Sequence, residues 1–107
     1  MAQESVEGII REYLRAAAQA GFHIKKAVLF GSYARGHADE WSDIDLIIIA
    51  PEFDGLADRA LVTKLWELRA RTDSRIEPVP CGVLEWEKGS DRPIIEIARR
   101  EGVVIAA

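Results

Sequence analysis

Apolar residues recur near the start of the chain at Val6, Ile9, Ile10, Tyr13, Leu14 and Ala17, the spacing of one helix face. This predicts an amphipathic helix over residues 3 to about 20, ended by Gly21, with Tyr13 in its buried stripe. The period then changes. Ala27-Val28-Leu29-Phe30 and Leu46-Ile47-Ile48-Ile49-Ala50 are short apolar runs, partly β-branched or aromatic, and read as buried strands over about 24–30 and 43–50. The second run does not alternate, which predicts a central strand covered on both faces. Pro51 ends it, and Asp54-Gly55 is a turn signal. Leu61, Val62, Leu65 and Leu68 predict a helix over about 58–71, with Asp58 as its N-cap. Arg75-Ile76-Glu77-Pro78-Val79 alternates as a third strand that puts Arg75, Glu77 and Val79 on one face. Its prolines remove ladder donors and predict an edge position. Residues 81–90 read as a loop holding Trp86. A helix follows over about 92–100 with Pro93 in its first turn, then a short strand Val103-Val104-Ile105. The fold class is α/β (α+β), a small mixed sheet of about four strands flanked by helices.

The candidate chemistry lies between the first two strands, in Gly31-Ser32-Tyr33-Ala34-Arg35-Gly36 and then Ser42-Asp43-Ile44-Asp45. A strand ending in Gly-Ser turns tightly and lets backbone approach a ligand. A short helix starting at Ser32 would add free N–H groups for an anion such as phosphate, and the serine hydroxyl one more donor. Asp43 and Asp45 are two apart at the mouth of a strand, so their carboxylates share a face with Cα atoms roughly 6.6 Å apart. Hard oxygen ligands beside a phosphate cradle suggest Mg²⁺ held partly by protein and partly by a nucleotide. The phosphate end closes one strand and the carboxylate end opens the next. Both reach one nucleotide only if the two strands are antiparallel. Neither GxGxxG nor GxxxxGK[ST] is present. Two aspartates and a Gly-Ser could also be plain turn residues, but like charges on one face of a buried strand are costly without a cation.

Together Gly31, Ser32, Arg35, Gly36, Ser42, Asp43 and Asp45 resemble the nucleotidyltransferase domains of the DNA polymerase beta superfamily, most closely the minimal nucleotidyltransferase branch. That pattern is a Gly-Ser, a spacer of about ten residues and an Asp-x-Asp, with a third acid on a later strand. Glu77 matches the third acid, where aspartate is the commoner occupant. The resemblance implies that Asp43, Asp45 and Glu77 are catalytic and metal-binding, with Glu77 acting on the attacking hydroxyl. It implies that Gly31 and Ser32 hold the phosphates of ATP, and that Arg35 binds the triphosphate or braces an aspartate. It also implies transfer of AMP to a hydroxyl on a helical HEPN-type toxin partner encoded nearby, with this chain as antitoxin. Two other readings stand beside it: a small-molecule nucleotidyltransferase of the aminoglycoside-modifying type, and an antitoxin that acts by contact alone.

Composition narrows the setting. The 107 residues are 49% hydrophobic and 30% charged with a net charge of −4, which fits one globular domain over 1–107. An acidic balance argues against direct nucleic-acid binding. No apolar run reaches a membrane span and no signal-peptide pattern opens the chain. With one cysteine, Cys81, a cytoplasmic location is expected. A homo- or hetero-oligomer is compatible with all of this. His23 reads as a surface or cap residue, and Asp39 and Glu40 as solvated loop acids. Ser42 reads as a residue hydrogen-bonded beside the metal site, and Trp41, Trp66 and Trp86 as packing or interface residues.

Overall fold

The computed structural model describes residues 5–34, 36, 42–55 and 58–106. Helix α1 (Val6–Gln19) opens with Ser5, whose hydroxyl accepts from the Gly8 N–H at 3.0 Å. Strands β1 (Lys26–Phe30) and β2 (Ile44–Ile49) follow, then a 3-10 turn over Pro51–Phe53. Helix α2 (Arg59–Glu67) is capped by Asp58, which accepts from Ala60 N–H at 2.8 Å, and its last turn tightens into a 3-10 segment over Leu68–Arg71. Strand β3 (Ile76–Cys81), helices α3 (Val83–Lys88) and α4 (Pro93–Glu101) and strand β4 (Val103–Ala106) complete the chain.

The strands form one mixed sheet in the order β3-β2-β1-β4. β1 runs antiparallel to both β2 and β4, whereas β2 and β3 are parallel. The antiparallel pair expected from the two polar ends is therefore present, and β3 lies at an edge as its prolines required. Ile44 N–H donates to the Arg75 carbonyl at 2.8 Å and Ala50 N–H to the Cys81 carbonyl at 3.1 Å. Odd-numbered positions of β3 thus face β2, and Pro78 and Pro80 turn their missing N–H groups outward, where nothing is lost.

Because β2 is central, its alternate residues enter two cores. On one face Ile44, Leu46 and Ile48 pack with Ala27, Ile76 and Ile105 under α1 and α2. Tyr13 is fully buried there, its hydroxyl donating to the Leu65 carbonyl at 2.6 Å. On the other face Ile47 and Ile49 pack with Val28, Phe30 and Cys81 under Ile95 and Ala98 of α4, with Val83 and Trp86 of α3 at the margin.

Two sequence readings need correction. Residues 83–88 form α3 where a loop was expected. The helix is six residues long and has no buried residue, and its N-cap, Gly82, offers no side chain. The cap comes from Asp54, whose Oδ1 accepts from Leu84 N–H at 3.0 Å across thirty positions of sequence, a contact no local pattern reveals. The second correction is at Gly31–Ala34, which form a turn and not the start of a helix.

Candidate active site

One end of the sheet gathers the close of β1 and the starts of β2, β3 and β4. Phe30 is the register partner of Asp45, and Asp45 is the register partner of Glu77. With strands about 4.8 Å apart, the two carboxylates stand side by side on one face. It is the face that carries Ile47 and Val79 and lies under α3 and α4. Asp45 and Glu77 are half-buried, and Asp43, one residue before β2, is exposed. The structure thus brings together the three acids named from sequence.

Gly31 follows Phe30 directly and has φ +73°, a left-handed conformation that side chains rarely adopt. A Cβ built there would overlap the Asp45 carboxylate. The glycine therefore serves the turn and at the same time the close approach of a carboxylate to the backbone. Ser32, Tyr33 and Ala34 are half-buried in this turn, and Gly36 N–H donates to the Tyr33 carbonyl at 3.4 Å. Ser42 is half-buried as well. Arg35, His37, Asp39, Glu40 and Trp41 lie outside the described residues.

Electrostatics mark the same place. Burial, and then the neighbouring Asp43 and Asp45, hold the Glu77 carboxyl above the usual carboxylate range, against a smaller opposite pull from Arg69. Such mutual repulsion is what a hard cation would relieve. Among the described residues, no group of three potential ligands closes into a metal site unaided. The donors at this end are all carboxylate oxygens, the ligand type that suits a hard divalent ion.

The start of β3 is held by contacts that the sequence did not announce. Asp73 Oδ1 accepts from Arg75 N–H at 2.9 Å and from its Nε at 3.1 Å, and Oδ2 accepts from Nη2 at 2.9 Å. Arg69 stacks over the Trp66 ring at 4.6 Å and donates through Nη2 to the Ser74 carbonyl. A turn such as Asp73-Ser74 is legible in sequence. That two arginines grip it is not, since Arg69 arrives from α2's last turn. His23, as expected, is a surface residue; its Nδ1 lies 2.6 Å from Glu52 Oε2.

A cavity of about 410 Å³ lined by Phe53, Asp54, Pro80, Leu84, Glu85 and Arg92 lies at the opposite end of the sheet, where β2 and β3 finish. Glu85 and Arg92 there bond to each other at 2.8 and 2.9 Å, Ser90 donates to Glu85, and Arg92 Nη2 donates to the Pro80 carbonyl at 2.8 Å. This polar cluster is internally satisfied and remote from the acids.

Comparison with known proteins places the chain in a family. A family model described as a nucleotidyltransferase domain matches residues 9–105. A Methanocaldococcus jannaschii protein named as a candidate protein adenylyltransferase is 46% identical over 61 residues, covering 55% of this chain and 59% of that protein. Across three such relatives from that organism the match spans 35%, 59% and 42% of their own length. Among solved structures, a candidate nucleotidyltransferase from Sulfolobus solfataricus superposes with a TM-score of 0.64 at 13% identity, covering 97% of this chain and 89% of that one. A toxin–antitoxin crystal structure with AMP-PNP superposes at 0.63 with 23% identity, covering 94% of this chain and 72% of that one. At these identities the two structures show a shared fold.

Proposed function

The chain belongs to the nucleotidyltransferase domain family, and from that premise we propose that it is a protein adenylyltransferase acting as the antitoxin of a helical HEPN-type partner. The observation that carries this is the row Asp45–Glu77, with Asp43 beside it, set against the Gly31–Ala34 turn. Support for the acceptor class comes from the relatives named for protein adenylylation and from the toxin–antitoxin neighbour bound to AMP-PNP.

In this reading the substrate is ATP. Backbone N–H groups of the turn and the Ser32 hydroxyl hold its phosphates. Asp43 and Asp45, with Glu77, would hold Mg²⁺, which would supply charge neutralisation at the reacting phosphate. Glu77, across the ladder from Asp45, is placed to accept the proton of the acceptor hydroxyl. The hydroxyl oxygen forms a bond to the α-phosphorus, the bond from that phosphorus to the β-phosphate's bridging oxygen breaks, and pyrophosphate leaves. The partner gains AMP. Among the described residues no helix is long and apolar enough to cross a membrane, which is compatible with action in the cytoplasm.

Incubation with radiolabelled ATP and Mg²⁺, with and without the helical protein encoded beside it, tests the proposal. Label is expected on the partner, and none with Asp43→Asn/Asp45→Asn. Tight complex formation that survives the double substitution, with no label on any protein, would replace the reading with contact inhibition. Label on a small molecule with no partner present would replace the acceptor class.

A further inference from the structure

We propose that β4 is the seam of a symmetric homodimer. Two copies of this chain pair their β4 strands antiparallel, with Val104 opposite Val104 of the second copy, and join two four-stranded sheets into one. The inference goes beyond the nucleotidyltransferase reading and does not depend on it.

Among the described residues six large hydrophobic side chains are exposed, and four of them, Ile94, Ile97, Val103 and Val104, lie at this one border. β4 is outermost on the β1 side of the sheet, so its alternate residues turn N–H and C=O groups outward. The register settles the faces. Val104 opposes Val28, which packs under Ile95 and Ala98 of α4, and so stands on the α4 face. Val103 opposes Leu29 and Ile105 opposes Ala27, both on the face beneath α1. On α4, Glu96 Oε2 accepts from Ser90 N–H at 3.2 Å, and Ser90 also bonds to Glu85 of α3. That flank of α4 therefore looks toward α3. With Ile95 and Ala98 pointing into the sheet, helical spacing puts Ile94 and Ile97 on the opposite flank, toward β4. Val104 continues the same apolar strip onto the strand.

A second copy suits this border because the border complements itself about a two-fold axis. Residues directly opposite in an antiparallel pair share a face. With Val104 on the axis, the two Val104 side chains meet on the α4 face, and Val103 meets Ile105 of the second copy on the α1 face. Ile94 and Ile97 of both copies flank the seam. Charge agrees with the same arrangement. Glu101 closes α4 just before β4 starts, and Lys26 is the register partner of Ala106 at the strand's other end. Strand alternation puts Lys26 on the face of Val28, which is the α4 face. Antiparallel pairing sets the start of one β4 against the end of the other, so Glu101 of each copy approaches Lys26 of the other. Among the described residues neither side chain has an ion pair within its own chain. The acids lie at the end where β4 starts, so the two candidate active sites would open at opposite ends of the dimer.

Sedimentation velocity of the full chain over a range of concentrations, beside Val104→Lys and Ile97→Glu, tests the seam. The parent is expected to pass from one chain to two as concentration rises, and each variant to weaken dimerisation roughly tenfold or more. Both positions are exposed, so each variant is expected to melt within about 2 °C of the parent. Glu101→Lys and Lys26→Glu are each expected to weaken the dimer, and the two together to restore part of the loss. The register is read with Val104→Cys, which is expected to form a disulfide between copies on oxidation by diamide. Leu84→Cys, exposed on α3, is the control that stays single. A parent that remains one chain at every concentration, a dimer indifferent to both border variants, or equal cross-linking at positions 104 and 84 would overturn the proposal. If the parent stays single and the same variants weaken a complex with a different protein, the border belongs to that protein and the homodimer is likewise overturned.

Discussion

Asp45 and Glu77 are register partners in the parallel β2–β3 ladder, so a like-charged pair is built into neighbouring strands at the mouth of the sheet. Like charges placed directly across a ladder destabilise it. Glu77 shows the effect, its carboxyl held above the usual range by burial and by Asp43 and Asp45. A raised carboxyl affinity means that the folded state binds its proton more tightly than the unfolded one. This group's contribution to stability therefore grows as pH falls through the folded value and is unfavourable at neutral pH.

Asp45→Asn is accordingly expected to raise the stability of the metal-free protein at pH 7 only slightly, because burial and Asp43 outweigh Asp45 in lifting the Glu77 carboxyl. Under the proposed function it should also abolish AMP transfer and the rise in Tm that the proposal expects Mg²⁺ to give the parent. Thermal melts with and without Mg²⁺ check both halves.

Gly31→Ala and Gly36→Ala separate two costs. Both positions have φ +73°, so each substitution costs about 1 kcal/mol or somewhat more in backbone strain. Among the described residues nothing lies within 4 Å of a Cβ at Gly36, whereas one at Gly31 would overlap the Asp45 carboxylate. Gly31→Ala is expected to be the more destabilising by urea titration and to lose AMP transfer. Gly36→Ala is expected to retain a measurable fraction of it.

At the far end, Arg92 and Ser90 lower the Glu85 pKa to about 2 against a smaller cost of burial. A lowered folded pKa gives stability that is present above the unfolded value, near 4.5, and is lost as pH falls toward about 2. Solvent reaches both partners, with 44% and 28% of their side chains exposed, so the contribution is about 1 kcal/mol. Glu85→Gln should remove this part of the acid dependence of denaturation midpoints between pH 5 and pH 2, and leave AMP transfer unchanged.

Cys81 is buried beside that cluster, and desolvation raises its thiol pKa to about 12. The native protein is expected to resist thiol reagents at pH 8, with labelling at the rate of global unfolding. Fast labelling of native protein would place the end of β3 in a separately opening unit.

Much of the fold was legible in the sequence because local chemistry dictated it. The unbroken apolar run of β2 required a central strand, Asp58 capped its helix, and the prolines of β3 required an edge. Asp43 and Asp45 stood out for the same reason, since Asp-x-Asp fixes a shared face by strand geometry, whereas Glu77 stood out only through the family resemblance. Asp43 nevertheless precedes β2, because the ladder begins where Ile44 pairs with Ile76. What stayed hidden depends on distant partners. α3 needs Asp54 for its cap, and the grip of Arg69 on the Ser74 carbonyl appears only once the segment after α2 is placed against the start of β3.

The outward-facing prolines of β3 also bear on how the sheet can grow. A strand laid beside β3 would find no N–H at Pro78 or Pro80 and would meet Arg92 already bonded to the Pro80 carbonyl. That edge is closed to templated pairing. β4 is the opposite border, lined by the exposed Val103 and Val104 and with no proline in its run. A protein that joins this sheet by strand addition therefore has to approach along β4.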